Sequence, residues 1–136
     1  MKNEHPVAIS NLLLIFLCAA LASCSIAPAK SNTIKIQRLI FLNHSSKALD
    51  KVRIYISKTS EFASCGHILS KSECSTGFPL REYQGNSFDV SWSENGQQKE
   101  KNNLRILESV NLIPDRPANA VITFGENGVF SASLLQ

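Results

Sequence analysis

From Thr33 onward the apolar residues recur at every second position, not at the three- and four-residue spacing of a helix face. "TIKIQRLIFLN" (33–43) sets Ile34 and Ile36 against Lys35 and Gln37, then turns wholly apolar through Leu39-Ile40-Phe41-Leu42. That is the pattern of a strand that starts near a sheet edge and ends buried on both faces. "HSSK" (44–47) reads as a turn, and "DKVRIYIS" (50–57) places Val52, Ile54 and Ile56 on one face with Arg53, Tyr55 and Ser57 on the other. Residues 58–79 lose the alternation and are rich in Ser, Gly, Lys and Thr. They read as loop, with a short strand at Gly66 to Leu69.

The alternation then resumes. "PLREYQ" (79–84) fits an edge strand, because proline cannot donate to a central ladder. "SFDVSWS" (87–93) sets Phe88, Val90 and Trp92 against Asp89, Ser91 and Ser93, and Asn95-Gly96 is the dipeptide that favours a tight hairpin. The return arm is polar first and apolar later, which predicts a strand at about 103–108 and allows a helical turn around 99–103. Pro114-Asp115-Arg116-Pro117 is a rigid turn, and "ANAVITF" and "VFSASLL" form a closing hairpin across Gly125-Glu126-Asn127-Gly128. Six to eight short strands without helical crossovers predict an all-β fold: a small antiparallel β-sandwich, immunoglobulin-like or related, over residues 33–136. Phe41, Trp92, Ile122 and Phe124 are expected in its core.

The N-terminus follows a different rule. Lys2 gives a modest positive start, Leu12 to Ala22 carries no charge, and "SIAPAKSN" (25–32) is small and polar. The apolar run is shorter than the roughly 18–20 residues that span a bilayer and suits the core of a signal peptide. Leu21-Ala22-Ser23-Cys24 resembles the lipobox of bacterial lipoproteins: an aliphatic residue, two small residues and a cysteine. The resemblance covers only these first residues. It implies cleavage of residues 1–23, acylation of Cys24, and a flexible tether over 24–32. Multiple acyl chains on one residue meet the requirement for stable anchoring without a spanning helix. Ser25 after the cysteine resembles the outer-membrane-sorted members, which implies a periplasm-facing protein in the cell envelope.

Within that resemblance the four cysteines sort themselves. Cys18 leaves with the signal peptide and Cys24 carries lipid, so Cys65 and Cys74 remain as a pair in an oxidising compartment, where a disulfide is expected. Zinc through Cys65, His67 and Cys74, with His44, is the competing arrangement; it lacks a paired C-x-x-C knuckle, and no metal or other cofactor is expected. The net charge of +3 is spread along the chain and gives no nucleic-acid signature, although Lys30, Lys35, Arg38, Lys47, Lys51, Arg53 and Lys58 gather towards the N-terminal side.

No G-x-S-x-G, S-x-x-K or H-E-x-x-H occurs, and the acids Glu73, Glu82, Asp89 and Glu94 show no spacing that pairs them, so catalysis is not expected. "CSTGFPLREYQGN" (74–86) sets Phe78, Arg81 and Tyr83 beside a cysteine anchor, residue types that binding surfaces use, with Trp92 as a further candidate. Two functions stay open. The favoured one is an envelope module that docks a protein partner, because a chain this small has little room for an enclosed pocket; the other is a lipoprotein that binds a small ligand or glycan through the aromatics near 78–92. A concavity ringed by aromatics would favour the second, and a flat patch or uncovered strand edge the first.

Overall fold

The computed structural model describes residues 33–107 and 111–136; the expected signal segment, Cys24 and the expected tether lie outside the described residues. Eight strands follow one another: β1 (Lys35–Asn43), β2 (Leu49–Ile56), β3 (Glu61–Ile68), β4 (Glu73–Glu82), β5 (Phe88–Glu94), β6 (Gln97–Leu104), β7 (Ala118–Gly125) and β8 (Gly128–Leu135). They make two four-stranded sheets, ordered β4-β1-β7-β8 and β3-β2-β5-β6. Every pairing is antiparallel except β1 with β7, which run parallel. The fold is thus an all-β sandwich with a strand count inside the expected range. Lettered in chain order, its sheets are D-A-G-H and C-B-E-F, whereas constant-type immunoglobulin domains group ABED and CFG.

The alternating runs form the core as their spacing dictates. Ile36, Leu39 and Phe41 of β1 and Ala118, Ala120, Ile122 and Phe124 of β7 meet Val52 and Ile54 of β2 and Phe88, Val90 and Trp92 of β5. Phe41, Trp92, Ile122 and Phe124 are all buried. Trp92 stands edge-on to Phe124 with ring centroids 5.4 Å apart, a favoured aromatic geometry. Strand β7 is buried on both faces, since Val121 and Thr123 are covered as well.

The hairpins are set by turn chemistry. Asn95 and Gly96 both take positive φ, 52° and 77°, as a tight β5–β6 turn requires. Gly128 opens β8 at φ 99°, and a Cβ there would lie 2.7 Å from Cζ2 of Trp92. Glycine at that point lets the hairpin backbone rest on the indole.

Three expectations are corrected. Residues 58–79 are not mainly loop: they hold all of β3 and most of β4. The positions of β3 that face the other sheet are Glu61, Ala63 and Cys65, aligned with Ile56, Ile54 and Val52 of β2. Their polar or small side chains erase the alternation. The polar run from Gln97 to Asn103 is strand β6 itself, not a helical turn, and β6 ends at Leu104 instead of spanning 103–108. As an edge strand fixed by the Asn-Gly turn, it needs no apolar face of its own and resists edge-to-edge pairing through its charges. Finally, β1 does not begin at an edge but lies between β4 and β7 throughout. The edge assignment for the Pro79 segment holds, because β4 is the outer strand of its sheet.

Candidate functional site

Strands β3 and β4 are the facing edges of the two sheets, and side chains tie them together at two levels. Cys65 of β3 and Cys74 of β4 form a disulfide, with Cα atoms 6.4 Å apart. Four residues earlier on β3, Glu61 accepts a charge-assisted hydrogen bond from the Arg81 guanidinium of β4. Arg81 reaches that level because β4 bulges: between Ile36 and Arg38 of β1 the partner shifts from Arg81 to Gly77, so Phe78-Pro79-Leu80 stand opposite a single residue. Proline suits a bulge on an edge strand, where its missing N–H costs no ladder bond.

Around the Glu61–Arg81 level the sandwich is open, and a cleft of about 600 Å³ enters between the sheets. Its wall is built by Ile36 and Leu39 of β1, Ile54 and Ile56 of β2, Phe78 of β4 and Phe88 of β5. Ala63 of β3 is part of the lining and faces Ile54 across the ladder. This small side chain leaves room where a larger one would close the sandwich. Ile106, after β6, and Tyr83, after β4, also line it. Tyr83 is positioned by its backbone N–H, which donates to the Ile34 carbonyl at 2.7 Å, and by its hydroxyl, which donates to the Ile106 carbonyl at 3.4 Å.

Of the four residues expected to form a binding surface, the structure brings Phe78, Arg81 and Tyr83 together on this cleft. Trp92 is a correction. It is only 4% exposed and packs on Phe124 and Gly128 inside the sandwich, so it presents no surface for a ligand. Its place among the apolar positions of β5 explains this, since Phe88, Val90 and Trp92 share the buried face. Sequence reasoning missed Glu61, Ala63, Ile54, Ile56 and Ile106 as cleft residues. The only signal available was the break in alternation after Ser57, which reads equally well as a loop.

The β1–β2 turn and the β5–β6 hairpin carry a separate polar network. Glu94, 5% exposed, accepts hydrogen bonds from Lys47 Nζ at 2.6 Å and Lys99 Nζ at 2.8 Å. Hydrogen bonding from Lys47 first and Lys99 next holds its carboxyl below the usual carboxylate range, while the same contact raises the Lys47 ammonium. Asn43 is fully buried and donates through Nδ2 to the carbonyls of Lys47 at 2.8 Å, Leu69 at 2.9 Å and Ile68 at 3.3 Å. Its Oδ1 accepts from the Ser45 backbone N–H at 3.0 Å and hydroxyl at 2.7 Å. These groups satisfy one another and hold the loops; among the described residues no cluster of three His, Cys, Asp or Glu is arranged to hold a metal.

No family model matches the chain, and no curated protein matches it. Among solved structures, the NMR structure of a protein from Eubacterium rectale is similar at a TM-score of 0.42 and 10% identity, over 80% of this chain and 92% of that one. A similarity that distant carries no argument about fold or function.

Proposed function

We propose that the chain is an exported lipoprotein, fastened to the cell-envelope membrane through Cys24, whose sandwich binds a small molecule in the cleft between β3 and β4. The lipobox-like Leu21-Ala22-Ser23-Cys24 supports the anchor, and Ser25 supports an outer-membrane position facing the periplasm. The pairing of Cys65 with Cys74 is consistent with an oxidising compartment. The binding reading rests on one observation: an apolar concavity of about 600 Å³ that gathers Phe78 and Tyr83. Ligand sites commonly occupy roughly 300–1,000 Å³ and are lined by apolar and aromatic groups with a few polar ones at set positions.

The test uses the folded mature chain and the uncharged fluorophore N-phenyl-1-naphthylamine. Saturable, single-site enhancement is expected, and it should be lost in Ala63→Leu, which fills the cleft from β3. Equal enhancement in both proteins would place binding elsewhere and overturn the reading. The anchor is tested by labelled palmitate, which wild type should incorporate and Cys24→Ser should not.

Docking of an envelope protein is a second reading, favoured by the outer face of β2 and β3, which adjoins the cleft at Phe62. Tyr55 and Phe62 are cross-strand neighbours, 41% and 61% exposed, and the Arg53 guanidinium lies 4.4 Å from the Phe62 ring centroid. Exposed aromatics and arginine are the residue types that anchor protein interfaces.

A further inference from the structure

The charged residues around the cleft are few, and two of the three pair with each other, which narrows what it can hold. Only Glu61, Arg81 and Glu82 among its lining residues are charged. Glu61 and Arg81 are bonded to each other, and Glu82 lies opposite Lys35 in the β4–β1 register. Deeper in, Ile36, Leu39, Ile54, Phe78 and Phe88 offer no polar side-chain atom. The uncharged polar side chains, Thr59, Ser60, Gln84 and Asn86, belong to the β2–β3 turn and to the segment between β4 and β5, where the sandwich opens.

Resting on the cleft-binding reading, we infer that the ligand is a neutral amphiphile. An apolar body occupies the space between the sheets, and an uncharged hydroxyl- or amide-bearing head meets the polar side chains at the opening. A carboxylate or ammonium head has two routes, neither rewarded. It can sit beside the Glu61–Arg81 pair without a partner, which leaves a partly desolvated charge uncompensated. Alternatively it can displace Glu61 from Arg81, or Arg81 from Glu61, which exchanges one half-exposed ion pair for another and gains little. A neutral head meets neither obstacle.

The test compares octyl glucoside, octanoate and octylammonium below their micelle concentrations, each displacing N-phenyl-1-naphthylamine from the mature chain at pH 7.5. Octyl glucoside is expected to bind at least about tenfold more tightly than either charged compound. Two variants shift the preference in opposite directions. Glu61→Gln leaves Arg81 unmatched, and the octanoate-to-octyl glucoside affinity ratio should rise about tenfold; Arg81→Gln should do the same for octylammonium. Octanoate or octylammonium binding as tightly as octyl glucoside to wild type would overturn the inference. So would variants that leave both ratios fixed. Fluorophore binding without displacement by octyl glucoside would refute the neutral amphiphile and leave the cleft-binding reading intact. Failure of every compound, the fluorophore included, would refute both.

Discussion

Gly128→Ala is a sharp probe of the packing between the β7–β8 hairpin and the core. The residue sits at φ 99°, and a Cβ there meets Trp92 Cζ2 at 2.7 Å and Cη2 at 3.0 Å. Holding an L-residue in a left-handed conformation costs about 1–2 kcal/mol. Relieving the overlap requires a buried indole to move within a packed core, and overpacking of that kind costs about 1–3 kcal/mol. The two effects together predict a loss of about 2–5 kcal/mol, a large part of the 5–15 kcal/mol typical of a small domain. Since about 1 kcal/mol moves the melting temperature of such a domain by 4–8 °C, a drop of about 10 °C or more is expected. Trp92 is the sole tryptophan, so its emission reports the perturbed contact directly. Urea unfolding followed by that emission should show a lower midpoint with an unchanged slope, and a folded-state spectrum altered from wild type. A stability loss below about 0.5 kcal/mol with an unchanged spectrum would refute the close approach of Gly128 to the indole.

Three further predictions probe the supports of the sandwich. Replacing Cys65 and Cys74 by alanine should cost about 2–3 kcal/mol in urea denaturation, the loop-closure contribution of a span of nine residues, and added reductant should then have no further effect. Glu94→Gln should cost about 1–3 kcal/mol at neutral pH. Because the folded carboxyl is held below its ordinary value of 4.5, its contribution is present above that value and fades as pH falls through the lower folded one; the variant should have a flatter stability profile below pH 4.5. Asn43→Ala removes donors to three carbonyls in the fold interior and should cost about 1–3 kcal/mol, seen as a lower thermal midpoint and faster amide exchange around Leu69.

How much of this was legible in the sequence varies strand by strand, for physical reasons. Strands β1, β2, β5, β7 and β8 each bury apolar side chains, so alternation announces them, and Asn95-Gly96 and Gly125 to Gly128 mark their hairpins. Strands β3, β4 and β6 are sheet edges, as β8 is, but unlike β8 they carry few buried apolar side chains. Strand β6 is charged on an exposed rim, while β3 and β4 spend their inward positions on a disulfide, an ion pair and the small Ala63. Ala63 is what leaves room for the cleft, so a feature that shapes the concavity also hid β3 from a hydrophobicity pattern. The aromatic cluster around Phe78 and Tyr83 was visible as composition, but Glu61 and Ala63 enter only through the pairing of β3 with β2. Trp92 shows the limit of reading residue type alone, because an aromatic on an alternating strand serves the core before any ligand.

The most direct measurement of the central claim is a chemical-shift titration of the mature domain with octyl glucoside. The binding account predicts shifts confined to residues around the cleft, including Ala63, Phe78, Tyr83 and Ile106, with the Trp92 indole N–H undisturbed and the whole response abolished in Ala63→Leu. Shifts clustered instead on Tyr55 and the outer face of β2, or persisting in Ala63→Leu, would contradict it.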